Sequence, residues 1–144
     1  MRLVSAAKYS RAERELKQIR PFGTAPQTFF EATGLSQIPN PKSRLLVAVS
    51  GDRGLCGAIH SGIAKSVYSS IQTFKRNDEP STKLICVGDK ARVILSRIYA
   101  DKILWCATEV GKKPMTFIDA GYIAEEVLES MEDKKYCHIE IFFN

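Results

Sequence analysis

Along the chain, apolar residues recur first at helical spacing and then in short runs separated by helical stretches, and the changeover divides the molecule. Residues 1–20 are dense in Ala, Arg, Lys, Glu and Leu and contain neither Gly nor Pro, which predicts a helix. Within it, Tyr9, Ala12, Leu16 and Ile19 follow one another at intervals of three, four and three. That is the narrow seam of a coiled coil rather than the broad stripe of a core-facing helix, so this helix calls for another lying along it. Arg11, Glu13, Arg14, Glu15, Lys17 and Arg20 cover the remaining faces as solvated charge. Pro21 and Gly23 predict an end or a kink. With Pro26, Pro39 and Pro41 they make 21–43 a linker with room for a further helical turn or two.

From residue 44 the pattern alternates between strand and helix. Leu45 to Val49 is a continuous apolar run, as expected of a strand buried on both faces. Ile59, Ile63, Val67, Ile71 and Phe74 then line one side of a helix. Leu84 to Val87 predicts a second strand, and Gly88-Asp89 leads into a helix with the stripe Ala91, Ile94, Leu95 and Ile98. Ile103 to Cys106 predicts a third strand. Thr116 and Asp119 have the spacing of a capping box, heading a helix with Ala120, Ala124, Val127, Leu128 and Met131 inward. Cys137, Ile139, Ile141 and Phe143 alternate with His138, Glu140 and Phe142 as a fourth strand. Strands alternating with helices predict an α/β fold: a long N-terminal helix, then a Rossmann-like, mainly parallel sheet with flanking helices over 44–144. Met1 begins in mid-helix without a cap and Asn144 stops at a strand end, so the expectation is a piece of a longer polypeptide with an incomplete sheet domain.

Composition narrows the function classes. With 144 residues, 44% of them hydrophobic, the chain can bury a core without disulfides or metal. Cys56, Cys86, Cys106 and Cys137 form no C-x-x-C pair and have no histidine pair nearby, which argues against a zinc site or a disulfide framework. They are expected to be buried thiols in a reducing compartment. The balance of 21 Lys+Arg against 16 Asp+Glu, net +5, favours an acidic partner. Lys75-Arg76 and Lys112-Lys113 are short, separate runs without interleaved aromatics, so nucleic acid is not that partner. No apolar run approaches the roughly 18–20 residues of a membrane span, and the N-terminus lacks the apolar stretch of a signal peptide.

The segment Ser50-Gly51-Asp52-Arg53-Gly54-Leu55-Cys56-Gly57 is a glycine-rich turn between the first strand and its helix, where open parallel sheets bind anions and cofactors. Asp89, after the second strand, sits where dinucleotide enzymes keep the acid that holds a ribose hydroxyl. One reading is therefore a small nucleotide-binding protein. Against it, the glycines are spaced G-x-x-G-x-x-G, no Gly-Lys-Ser/Thr follows, and Asp52 would set a carboxylate beside a pyrophosphate. In the structural reading, the glycines permit tight turns and Asp89 caps its helix. Cys56 and His60, four apart, could form an activated thiolate, but no third orienting group is evident.

The stretch Ala6-Ala7-Lys8-Tyr9-Ser10-Arg11-Ala12-Glu13-Arg14-Glu15-Leu16 resembles the first-helix motif of the gamma subunits of ATP synthase. The turn Ser50-Gly51-Asp52-Arg53-Gly54-Leu55-Cys56-Gly57-Ala58-Ile59-His60-Ser61 is similar to that family's signature, and Val87-Gly88-Asp89-Lys90-Ala91-Arg92 and Glu109-Val110-Gly111-Lys112-Lys113-Pro114 agree with it too. The resemblance implies a central-stalk rotor that performs no bond chemistry and holds no catalytic residue, cofactor or metal. In it, 1–20 is one strand of an antiparallel coiled-coil shaft, with Tyr9, Ala12, Leu16 and Ile19 on the seam. Met1, Arg2, Lys8 and Arg11 match the section within or just below the alpha/beta ring, where their charges would face acidic loops of the beta subunits. Ser50, Asp52, Arg53, Gly54, Leu55, Cys56 and Gly57 form the signature turn of the foot. The implied partners are the alpha and beta subunits of the F1 sector, the small central-stalk subunits and the proton-carrying c-ring, with the membrane met only through the complex. The wording is closest to the mitochondrial branch, which implies the matrix side of the mitochondrial inner membrane rather than a bacterial plasma membrane. The family's C-terminal helix and the first turns of its N-terminal helix have no counterpart in these residues.

Overall fold

The computed structural model describes residues 2–34, 41–74, 81–110, 113, 115–134 and 136–144. They fall into two compact units, Met1–Pro39 and Asn40–Asn144. The first is one helix, α1 (Arg2–Ala32), and every described side chain on it is exposed. Pro21 and Pro26 lie inside this helix rather than ending it. Each proline removes one backbone donor, but on an exposed helix water takes up the freed carbonyls. Thr24 Oγ1 also donates to Arg20 O at 3.3 Å and Pro21 O at 3.2 Å, and Thr28 Oγ1 to Thr24 O at 3.2 Å, closing carbonyls beside the breaks. The helix stops where Gly34, at φ 68, takes the left-handed conformation that follows a helix C-terminus.

The second unit runs β1 (Ser43–Val49), α2 (Ile59–Phe74), β2 (Ser81–Val87), α3 (Asp89–Tyr99), a 3-10 turn (Ala100–Lys102), β3 (Ile103–Ala107), α4 (Phe117–Lys134) and β4 (His138–Phe142). The strands form one sheet in the order β3-β2-β1-β4, and every pairing is parallel. The chain steps outward from β1 through β2 to β3, then returns across the sheet to place β4 on the other side of β1. With right-handed crossovers this reversal puts α2 and α3 on one face and α4 on the other.

Two cores result. Leu46, Ala48, Leu84 and Cys86 pack with Ile63, Ala64, Val67 and Ile71 of α2 and Ala91, Leu95 and Tyr99 of α3. The alternate residues Leu45, Val47, Ile85 and Val87 meet Val127 of α4 and Tyr136, with Ile123 and Met131 half-buried beside them. Both faces of β1 and β2 are covered, which is why they read as unbroken apolar runs.

The expected helix faces need correction in two places. On α3 the inward residue of the last turn is Tyr99, while Ile94 and Ile98 are exposed. Tyr99 packs against Tyr68, their ring centroids 6.1 Å apart, and takes a hydrogen bond from Gln72 Nε2 at 3.1 Å, so it supplies both bulk and a satisfied hydroxyl. On α4 the inward residues are Ile123, Val127 and Met131, and Ala120, Ala124 and Leu128 face outward. Trp105 Nε1 donates to Ser130 Oγ at 3.1 Å and fixes that rotation. The capping box forms as expected: the Thr116 amide and hydroxyl each donate to Asp119 Oδ2 at 2.7 Å, while the Asp119 amide donates to Thr116 Oγ1 at 3.4 Å.

Candidate functional site

The glycine-rich turn leaves the C-terminal end of β1 and folds directly onto the start of α3. The Ser50 amide donates to Val87 O at 2.6 Å, carrying the β1–β2 pairing one residue further. Three successive amides at the head of α3 then find acceptors in the turn. Asp89 N–H donates to Asp52 Oδ1 at 2.9 Å, Lys90 N–H to Gly51 O at 3.1 Å, and Ala91 N–H to Ser50 Oγ at 3.1 Å. Gly88, at φ 94, permits this approach, since a Cβ there would lie 2.2 Å from Ser50 O.

This arrangement favours one of the two readings of the turn. A phosphate at a helix N-terminus is held by free amides and the positive end of the helix dipole. At α3 those amides are taken by Ser50, Gly51 and Asp52, so the turn's polar groups are spent in capping that helix. The structural reading is the better one, with one change of residue: Asp52, not Asp89, caps the helix. Asp89 is the first residue of α3 and pairs with Arg92, whose Nε and terminal nitrogen donate to Asp89 Oδ1 at 2.9 and 2.6 Å. That contact holds the Arg92 guanidinium firmly protonated, and it commits the carboxylate a ribose would need.

His60 secures the same turn from α2. Gly51 N–H donates to its Nδ1 at 3.3 Å, which assigns the ring proton to Nε2, 3.0 Å from Arg53 O as acceptor. The Cys56 thiol instead points at Gly54 O, 3.3 Å, and Arg53 O, 3.8 Å. Cys56 and His60 therefore form no nucleophile–base pair. At the tip, Leu55 is fully exposed at φ 62, a conformation a branched side chain adopts only when the surrounding bonds impose it. Beside the turn lies a cleft of about 460 Å³ lined by Val49, Ser50–Arg53, Val87, Gly88, Glu109, Val110 and Met115. Its charged lining is mixed among the described residues, Asp52 and Glu109 against the single cation Arg53.

The cysteines divide, contrary to the expectation of four buried thiols. Cys86 is buried and Cys106 half-buried on adjoining strands, and burial pushes the Cys86 thiol up to about 12. Cys56 and Cys137 are exposed. Ser43 N–H donates to Cys137 Sγ at 3.4 Å, which lowers that thiol below its ordinary range. Loops at the sheet ends, not strand interiors, carry these two residues, and sequence alone did not separate them. Among the described residues no group of three or more His, Cys, Asp or Glu side chains could hold a metal ion.

On α1, Tyr9, Ala12, Leu16 and Ile19 share one exposed stripe. Lys8 and Arg11 are exposed too, lining a shallow groove with Val4 and Ala7. Arg11 Nε donates to Glu15 Oε1 at 2.9 Å, so its charge is already partly matched along the helix. Met1 and the side chain of Arg2 lie outside the described residues, as do Lys75-Arg76 and Lys112.

Sequence reading missed one polar cluster. Arg44 on β1 is fully buried, bonded to Ser70 and Glu140, with its guanidinium carbon 4.1 Å from the centroid of the Phe74 ring. Ser70 Oγ donates to Glu140 Oε2 at 3.0 Å, and His138 Nε2 lies 3.2 Å from Glu140 Oε1. This network joins β1, α2 and β4 at the end of the sheet opposite the glycine-rich turn. Its only sequence signals were a charge at the head of one apolar run and another alternating within the last strand.

The ATP synthase family profile matches residues 1–144, the whole chain. The mitochondrial ATP synthase subunit gamma of Drosophila melanogaster is 49% identical over 147 residues, covering 100% of this chain and 47% of the relative. The mitochondrial F(1) complex subunit gamma of Rattus norvegicus is 41% identical, over 90% of this chain and 47% of its own. Among solved structures, a chain in the central stalk/c-ring structure of the Tetrahymena thermophila mitochondrial ATP synthase matches with TM-score 0.73 at 26% identity, over 96% of this chain and 61% of that one. This chain thus spans about half the length of the curated relatives it matches.

Proposed function

This chain belongs to the gamma-subunit family of ATP synthases, and from that premise we propose that it serves as part of the central-stalk rotor. In this reading it couples rotation of the proton-carrying c-ring to conformational change at catalytic sites carried by other subunits. It is non-catalytic and needs no cofactor. The observation that carries the reading is the family match along the entire chain, and two physical features support it. The stripe Tyr9, Ala12, Leu16, Ile19 is exposed along α1, as befits one strand of a two-helix shaft whose mate is supplied by another segment. Asp52 and Ser50 of the glycine-rich turn are engaged in capping α3, and Asp89 is paired with Arg92, which disfavours the alternative of a small nucleotide-binding protein.

The shaft strand is assigned to 1–20, the connection to 21–43, whose first part continues α1 to Ala32, and the foot to 44–144. Met1, Arg2, Lys8 and Arg11 would face acidic loops of the alpha/beta ring, a contact weakened by salt. The foot would meet the small central-stalk subunits and the c-ring, with the membrane reached only through the complex, on the matrix side of the mitochondrial inner membrane. The test is a native gel of detergent-solubilised membranes from the source cells, with mass spectrometry for peptides of this sequence. Migration with the assembled ATP synthase is the expected outcome. Recovery only as a small free species, with saturable nucleotide binding lost in Gly54→Val, would overturn it in favour of the nucleotide reading.

A further inference from the structure

We propose that the outward face of α4 is a docking surface for a basic, apolar-faced segment of another protein in the same complex, an inference that rests on the rotor reading above. A helix covering a sheet usually shows apolar residues inward and polar ones outward. α4 carries large apolar residues on its outward side as well. Its inward residues Ile123, Val127 and Met131 are committed to the sheet core, yet Phe117, Ile118, Tyr122 and Leu128 on the opposite side are 84%, 65%, 66% and 57% exposed. With Gly121 and Ala124 they line a shallow groove of about 630 Å³. Clustered large apolar side chains of this kind mark surfaces that a partner covers.

Charge selects the partner. Glu125, Glu129 and Glu132 line the same groove, toward the C-terminal half of the helix, and no cation lines it among the described residues. None of the three has an ion-pair partner among the described residues, in a chain whose net charge is +5. An anionic lipid surface or a nucleic acid would be repelled by these carboxylates. The same face of a second copy would bring its own glutamates against them. A protein segment with aliphatic or aromatic side chains opposite Phe117 to Tyr122, and Lys or Arg opposite the glutamates, meets both requirements.

The experiment uses the full-length polypeptide assembled in its complex, with photoreactive benzoylphenylalanine replacing Tyr122. Irradiation is expected to crosslink it to one Lys/Arg-bearing segment of a different subunit, mapped by mass spectrometry. Combining this with Glu125→Lys, Glu129→Lys and Glu132→Lys should lower the crosslink yield about tenfold while the chain's own far-UV spectrum is unchanged. A crosslink confined to the chain's own polypeptide, a crosslink to a second copy, no crosslink, or a yield indifferent to charge reversal would each overturn the proposal. Migration of the chain with the complex is read on the same gel, so loss of the docking surface is distinguished from failure of the rotor reading.

Discussion

The two units solve the problem of hydrophobic surface in opposite ways. α1 leaves Tyr9, Leu16, Ile19, Phe22 and Phe29 in water, while the sheet unit buries Leu45, Leu46, Leu84 and Ile85 completely. The helix has no acidic residue in its first turn, no basic residue in its last, and two internal prolines. Its ends and its interior thus add little to its own stability. The sheet unit carries its own covering helices and fixes their ends with side chains. Substitutions should accordingly be felt strongly in one unit and weakly in the other.

The largest effect is expected at Gly88. Gly88→Ala combines a positive φ with a clash against the Ser50 carbonyl and should cost about 2–4 kcal/mol, read as a lowered Tm. Gly23→Ala, where a Cβ meets nothing within 4 Å, should instead raise helicity, by about 0.5–1 kcal/mol locally. If the two changes had equal effects on the cooperative transition, the contrast between the units would be void.

Next comes Glu140→Ala, which leaves the buried Arg44 guanidinium without its carboxylate. Because Glu140 is 27% exposed, the cost should be about 2–3 kcal/mol rather than the full penalty of a sealed pair. Glu15→Ala breaks the exposed Arg11 pair on α1 and should cost at most about 0.5 kcal/mol. Urea titration of both variants makes the comparison, and a larger loss at Glu15 would reverse it.

Asp52→Ala frees the Asp89 amide and should cost about 1 kcal/mol, the usual worth of an N-cap. Amide exchange should accelerate at Asp89 and Lys90 but not in α1. Unchanged exchange at α3 would remove Asp52 from the capping role.

The smallest expected effect is one of pH at the head of α4. The amide and hydroxyl of Thr116 hold the Asp119 carboxyl below its ordinary range. A depressed native pKa stabilises the fold above the unfolded value of about 3.9, and that stabilisation is lost as pH falls through the lower native value. NMR titration should show fraying of α4 in that acid window, absent in Asp119→Asn. An Asp119 that titrates as a free carboxyl would remove the effect.

The alternation of strand and helix was legible from residue 44 onward because each strand's apolar run and each helix's spacing pointed the same way. The capping box was legible because Thr116 and Asp119 are local partners. The length of α1 was not: Pro21 and Pro26 are breakers by local rule, and only an exposed helix that hydrates the freed carbonyls can carry them. The site was legible as a location, the turn after β1, but not as a mechanism. Nothing local in Asp52 says that it will reach the amide of Asp89, 37 positions away.

What the sequence by itself determined was the order of elements, the helical start of the chain and the family, since periodicity and contiguous motifs are properties of neighbours along the chain. What only the tertiary structure decided was which face of α4 lies inward, which cysteines are exposed, that Arg44 is buried with Glu140, and that the turn caps α3. Each of these depends on groups brought together by strand pairing, whose register is set by the packing of the whole sheet and not by any single stretch of it.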